Sequence, residues 1–348
     1  MERPFRTLVL VAAGLAASIA IGVSAAGATP NGAGGTAARQ ATTVNIIEAG
    51  DQDFSSLDVL FWIDRLKANG INVNFNVISD AATALRTVVA GQADMFIGSL
   101  PTAILAVQNG GAKIHVVAAN DQASDYVLVA QNNVTLANAA GKTLGIDSPG
   151  SAGQVAAEIA LKKLGVDPTS LHYVTIGGSS ARTTAVLAGR IDIAPIHYPL
   201  ALTAEATGKV HELVNVGKEI GPYIQSGLIV NDNFINKNTA VMQKVVNIFI
   251  NAERWANSNK YHYVQYAQAQ KLTQKMTSDQ MLKVWDFYRQ YKFFGINGGI
   301  CTNYVNSMLK LNKQLGSLPA GTPPVSQWVN RTFVLNYLKA HHLKASTC

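Results

Sequence analysis

Two stretches about a hundred residues apart carry the same signals in the same order, and this echo constrains the fold more than any composition figure. Ser79-Asp80-Ala81 opens a helical pattern that ends at Val89-Ala90-Gly91, followed by Gln92-Ala93-Asp94, a short apolar run and Ser99-Leu100-Pro101. Ser179-Ser180-Ala181 opens a second one that ends at Leu187-Ala188-Gly189, followed by Arg190-Ile191-Asp192, another apolar run and His197-Tyr198-Pro199. In each case a polar cap starts a helix, Gly stops it, Asp enters a strand and Pro follows the strand exit. A-G-x-x-D alone means little in a chain with 29 Gly. The full order repeated predicts two similar α/β lobes.

The rest of the periodicity agrees. Strand patterns fall at residues 44–47, 72–78, 94–97, 114–118, 126–130, 143–147, 172–176, 191–196 and 225–231. Helical patterns alternate with them at 57–68, 81–90, 102–109, 152–164, 181–188 and 200–207. Pro195 leaves the end of its strand open. Such alternation predicts parallel sheets covered on both faces. After Val216 the character changes to helices at 239–257, 277–290 and 301–315, with a capping box from Thr277 to Gln280. Linkers near 121–124 and 218–224 are the expected crossings between lobes. The expected architecture is α/β: two doubly wound lobes joined by two crossing strands, with extra C-terminal helices. Lobe one is discontinuous, 43–120 and 222–348, with the C-terminal helices packed on it, and lobe two is 121–221.

Ahead of this lies an export pattern. Arg3 and Arg6 precede an apolar run from Leu8 to Val23, and Ala26-Gly27-Ala28 fits a cleavage site. Residues 1–28 are therefore expected to be a signal peptide and 29–42 a flexible leader rich in Gly, Ala and Thr. The rival reading is an uncleaved anchor, for which the run is short. No cysteine stands near the cleavage region to carry a lipid. The mature protein is expected in the periplasm or outside the cell.

Composition removes several classes. A 48% hydrophobic content excludes a largely disordered chain. The charge of +7 comes from scattered residues, with Lys162-Lys163 the single basic pair, so no nucleic-acid partner is expected. Two cysteines exclude a Cys-rich zinc module, and no metal site or cofactor is expected. In an oxidising compartment Cys301 and Cys348 either form a disulfide or remain two thiols. No G-x-S-x-G, H-E-x-x-H or Walker pattern is present, so no catalytic residue is expected.

The loops at strand ends carry the candidate chemistry, because open α/β sheets bind ligands beyond the carboxyl ends of their strands. Ser148-Pro149-Gly150-Ser151-Ala152-Gly153 and Gly177-Gly178-Ser179-Ser180 place hydroxyls and backbone N–H groups at helix starts, which suits an anion. Ordinary N-capping by the serines explains either loop equally well. Asp51, Gln52, Asp53 and Phe54 follow the first strand; their carboxylates suit a cation or several donors, or else cap a helix. His197 and Tyr198 follow a strand end within reach of a ligand, whereas Trp62 reads as core.

Four segments carry a resemblance. Gly141-Lys142-Thr143-Leu144-Gly145-Ile146 with Gly150-Ser151 is similar to the "GKxIAV…GS" segment of the nitrate/taurine/sulfonate and thiamine-precursor solute-binding proteins of ABC importers. Leu161 to Asp167 resembles that family's "LKKAGLD", and Ala185 to Asp192 its "ALAAGQVD". Thr87 to Asp94, with Gly98-Ser99, looks like the matching lobe-one segment. The resemblance covers about residues 43–230 and implies a type II periplasmic-binding fold closing by a hinge on a small anionic or zwitterionic ligand such as a sulfonate, nitrate or carboxylate. It implies a monomer serving an ABC permease and its ATPase rather than an enzyme. An enzyme of the same fold, akin to the yeast-type pyrimidine synthases, and a sensor or other transporter component are the alternatives. The family's ligand contacts fall on Asp51–Phe54, Ser79, Asp80, Ser99, Ser148, Gly150, Ser151, Ala152, Gly153, Gly178, Ser179, Ser180, His197 and Tyr198. Where many members have Trp-Glu-Pro, this chain has His197-Tyr198-Pro199. Loss of that Glu argues against amine-bearing ligands.

Overall fold

The computed structural model describes residues 42–318 and 321–345. The expected signal peptide, nearly all of the leader, and Cys348 lie outside the described residues. Among the described residues ten strands build two sheets: β1 (Thr43–Ala49), β2 (Asn72–Ile78), β3 (Met95–Ser99), β4 (Ile114–Ala118), β5 (Tyr126–Gln131), β6 (Thr143–Ile146), β7 (His172–Thr175), β8 (Ile193–His197), β9 (Val210–Asn215) and β10 (Ser226–Asn231). The first sheet has the order β2-β1-β3-β10-β4 and the second β7-β6-β8-β5-β9. In each, three parallel strands are followed by an antiparallel fourth: β10 against β3 and β4, β5 against β8 and β9. The antiparallel strand is the one that enters after a crossing.

The sequence echo has a concrete cause. Gly91 and Gly189 take φ of +72° and +68°, and Gln92 N–H and Arg190 N–H return to Thr87 O and Ala185 O. That is the same left-handed helix stop in both lobes. The Asp94 carboxylate then accepts from Asn45 N–H at 2.8 Å, and the Asp192 carboxylate from Thr143 N–H at 2.8 Å. Each Asp thus ties its strand entry to the start of the neighbouring central strand, 49 residues earlier in both lobes.

The crossings form a ribbon. Tyr223 N–H and Gln225 N–H donate to Gln122 O and Asp121 O, with Ala123 paired to Pro222. Phe293 and Phe294 extend it: Gln122 N–H donates to Phe293 O at 2.7 Å, and Asp121 pairs with Phe294. Helices Leu57–Ala68, Thr239–Ser258 and Thr332–Ala340 cover one face of the first sheet around Trp62, which is fully buried with its indole N–H on Val245 O.

Several elements differ from the pattern-based reading. Strand β9, Val-His-Glu-Leu-Val-Asn, lies on the edge of the second sheet, where half its side chains meet solvent and the apolar alternation is weak. The helices after β10 do not all return to the first sheet: Thr302–Leu315 packs on the lobe-two helix Ala152–Lys163, and Ser278–Gln290 on Tyr198–Glu205. Pro195 is tolerated inside β8 because β6 pairs with β8 only at Leu144 and Ile193, leaving no donor wanted at 195. Cys301 is buried and disulfide-bonded.

Candidate ligand-binding cleft

The two sheets present the carboxyl ends of their parallel strands to each other across a cavity of about 70 Å³. By that measure a single water needs about 10–15 Å³, so the space suits a small solute. β1 and its following turn supply Glu48, Asp51, Ser55 and Ser56; β3 supplies Ser99. The crossings supply Asn120, Asp121, Gln225 and Ser226, and lobe two supplies Tyr126, Asp147, Ala152, Gly178, Ser179, Arg182 and His197.

Of the residues named from sequence, Asp51, Ser99, Ala152, Gly178, Ser179 and His197 line this space. Ser148, Gly150, Ser151, Gly153 and Ser180 stand on the same two loops without lining it. Gly153 packs on the Tyr126 ring, 3.1 Å from where a Cβ would sit. The other candidates are turned elsewhere. Asp53 is buried and caps a short 3-10 turn through Ser55 N–H, Phe54 packs edge-on to Tyr263, Gln52 and Ser79 are exposed, and Asp80 caps the helix Ala81–Val89 through Thr83 N–H. The Tyr198 ring stacks on Phe287 at 3.9 Å, in the core beneath the C-terminal helices.

The lobes already touch, and they do so through a carboxylate. Asp51 of the first lobe accepts Ser180 N–H at 2.7 Å, capping the start of the lobe-two helix Ser179–Leu187. Gly178 permits this approach, since a Cβ there would lie 2.5 Å from the Asp51 carboxylate. Asp147 follows β6 as Asp51 follows β1, and it lines the cavity together with Ala81 at the start of the lobe-one helix. Thr102 Oγ1 donates to Gly150 O at 3.2 Å alongside. Asp51→Ala is therefore expected to shift the closed-to-open ratio by roughly 5- to 30-fold towards open, from about 1–2 kcal/mol for an exposed charge at a helix start. Small-angle scattering of the ligand-free variant should show a larger radius of gyration, and an unchanged profile would remove Asp51 from closure.

The second expected anion loop is less occupied. The helix Ala152–Lys163 has no side-chain cap, and Ser151 Oγ is buried without a partner. The first three N–H groups of a helix have no acceptor within it. Nearby, Arg182 is held by Pro195 O, Gly177 O and Ser179 Oγ, so its charge is fixed in place. His197 lies under the Tyr126 ring with its Nδ1 2.8 Å from the fully buried Asp125.

Burial sets the protonation states. It pushes the carboxyls of Glu48, Asp53, Asp121 and Glu253 up, and those of Asp58 and Asp147 to about 6. Burial opposes charge on His197, but Asp125 outweighs it and raises the imidazole to about 9. A group whose pKa rises on folding stabilises the fold below its unfolded pKa and loses that contribution as pH climbs through the folded value. Thermal stability of the ligand-free protein should therefore decline from pH 3.8 to about 6 as Asp58 and Asp147 ionise, and again from 6.5 to about 9 as His197 discharges. Asp80, Asp167 and Asp192, with lowered pKa values, lose stability instead as pH falls below 3.8. A melting temperature that rises steadily between pH 5 and 9 would contradict these assignments.

Residues the sequence reading passed over include Glu48, Asn120, Asp121, Tyr126, Asp147, Arg182 and Gln225. Glu48 did leave a signal: it is the lone charge in the apolar run Val-Asn-Ile-Ile-Glu. The others come from segments whose proximity only the fold creates. Among the described residues no group of three His, Cys, Asp or Glu is arranged to hold a metal, and no helix is long and apolar enough to cross a membrane.

Two α/β lobes on paired crossings, with a polar cavity between facing strand ends, define the periplasmic-binding-protein fold. The chain belongs to the NMT1/THI5-like family, whose sequence profile matches residues 66–259. No curated protein matches it in sequence. Among solved structures it is similar to a ligand-binding component of an ABC-type import system from Staphylococcus aureus with zinc bound. Identity there is 15%, coverage 85% of this chain and 99% of the other, and the TM-score 0.71. The alkanesulfonate-binding protein SsuA from Xanthomonas axonopodis pv. citri, bound to MOPS, is 15% identical with 85% and 100% coverage and a TM-score of 0.67. The desulfurization enzyme DszB shares the fold at 13% identity, 86% and 99% coverage and a TM-score of 0.58.

Proposed function

We propose that this chain is the extracytoplasmic solute-binding receptor of an ABC importer, a monomer that closes on one small anionic or zwitterionic molecule and releases it unchanged to a permease. The carrying observation is the cavity itself, walled by strand ends of both sheets and floored by both crossings, so that a ligand there contacts everything that moves in a hinge closure. An anionic group fits best at the start of the helix Ala152–Lys163, where Ala152 lines the cavity and the first N–H groups have no side-chain cap. The equivalent start at Ser179 is taken by Asp51. The positive charges of Arg182 and His197 lie on the same, lobe-two side of the cavity.

The test is a thermal-shift and calorimetry screen of the mature protein against nitrate, alkyl and aryl sulfonates, carboxylates and thiamine precursors. A saturable rise in melting temperature that grows with ligand concentration supports the receptor. Turnover of any of them would favour the enzyme reading that the fold shared with DszB keeps in play.

A further inference from the structure

The lobe-one side of the cavity has the opposite character. Glu48 at the end of β1, Asn120 and Asp121 on the first crossing and Gln225 on the second all line it. Each is more than nine-tenths buried. Glu48 Oε2, Asn120 Oδ1 and Gln225 Oε1 have no hydrogen-bond partner, and all three are acceptor atoms. Asn120 spends its own amide N–H on Asp121 Oδ1 at 2.8 Å, which turns its carbonyl oxygen free. Two carboxyls and two amide groups from three chain segments therefore converge, and three of their oxygens are left without a donor. Buried polar atoms in folded proteins are nearly always paired, so three orphan acceptors on residues that line one cavity mark something missing that donates.

We propose that Glu48, Asn120, Asp121 and Gln225 form a subsite for a cationic nitrogen group of the ligand, an ammonium or amidinium. The subsite deepens the receptor reading and rests on it: with the anionic group on the lobe-two side, the ligand is a small zwitterion laid across the hinge. An ammonium brings three donors, one for each orphan acceptor, and an amidinium brings four. Burial raises the pKa of both carboxyls, and a cation beside them favours the ionised form, so that a single carboxylate, its proton lost to solvent, balances the single positive charge. The location also couples binding to closure, because Asn120, Asp121 and Gln225 belong to the two crossings about which the lobes turn. It further supplies carboxylates for an amine from a place other than the His197-Tyr198-Pro199 position, so the missing Glu there does not disqualify such ligands.

Matched probes separate the two poles: propanoate against 3-aminopropanoate, ethanesulfonate against 2-aminoethanesulfonate, and methylammonium alone, titrated calorimetrically into the wild type, Glu48→Gln and Asp121→Asn. The amine-bearing member of a pair is expected to bind at least about tenfold tighter than its partner, and Glu48→Gln to erase that preference while the protein stays folded by circular dichroism. Asp121→Asn should reduce the preference if Glu48→Gln fails to fold. Equal or tighter binding of the amine-free members, a preference that survives both substitutions, or no binding by any amine-bearing probe would overturn the subsite. The receptor reading stands apart from these outcomes, since it fails only if no solute binds and closes the cleft in scattering measurements.

Discussion

His197→Ala is expected to lower unfolding free energy by about 3–5 kcal/mol, the usual cost of stripping one partner from a buried ion pair. Asp125 is fully buried, and its Oδ1 meets His197 Nδ1 at 2.8 Å while Tyr288 Oη stands 3.4 Å from the other oxygen. Removing the imidazole leaves that carboxyl with a single long contact, beside Asp53 and Asp121 that already crowd it. It also uncovers the Tyr126 ring, which stacks on the imidazole at 4.5 Å. His197→Gln, which keeps a donor, should recover part of the loss. Urea unfolding of both variants with Asp125→Asn would isolate the pair energy; a loss under about 1 kcal/mol for His197→Ala would show that the carboxyl does not depend on it.

Ser151→Asp is expected to weaken ligand binding by more than a hundredfold, because the new carboxylate would fill the place proposed for the ligand's anionic group and repel it. Asp51 shows that a side-chain carboxylate can do this here: it already occupies the other helix start. Asp is a good N-cap and the helix Ala152–Lys163 lacks one, so folding stability should hold or rise by about 1 kcal/mol. Calorimetry with any ligand found for the wild type, beside a thermal melt, checks both halves. Unchanged affinity would take the Ser148–Gly153 loop out of the site.

These two substitutions touch features of different legibility. The Ser151 helix start is written locally, in six consecutive residues between a strand and a helix. The His197–Asp125 pair spans 72 residues, and nothing in either neighbourhood marks the partner.

The lobes themselves were legible for the same local reason. A helix cap, a left-handed Gly and an Asp at a strand entry each act over a few residues, so the repeat survives in sequence wherever those bonds recur. Alternation and the two crossings could be placed from short windows as well. Edge strand β9 escaped because an edge buries only half its side chains and loses its pattern. Tyr198 escaped because its neighbour Phe287 belongs to a C-terminal helix that returns from ninety residues on. What only the tertiary structure decided is the sign of the cleft. Asp121 and Asp147 carry no local mark, and Glu48 only its place in an apolar run, until two sheets and a ribbon of crossings enclose them, since it is burial, a property of the whole fold, that strips a carboxyl of its water and makes it wait for a partner.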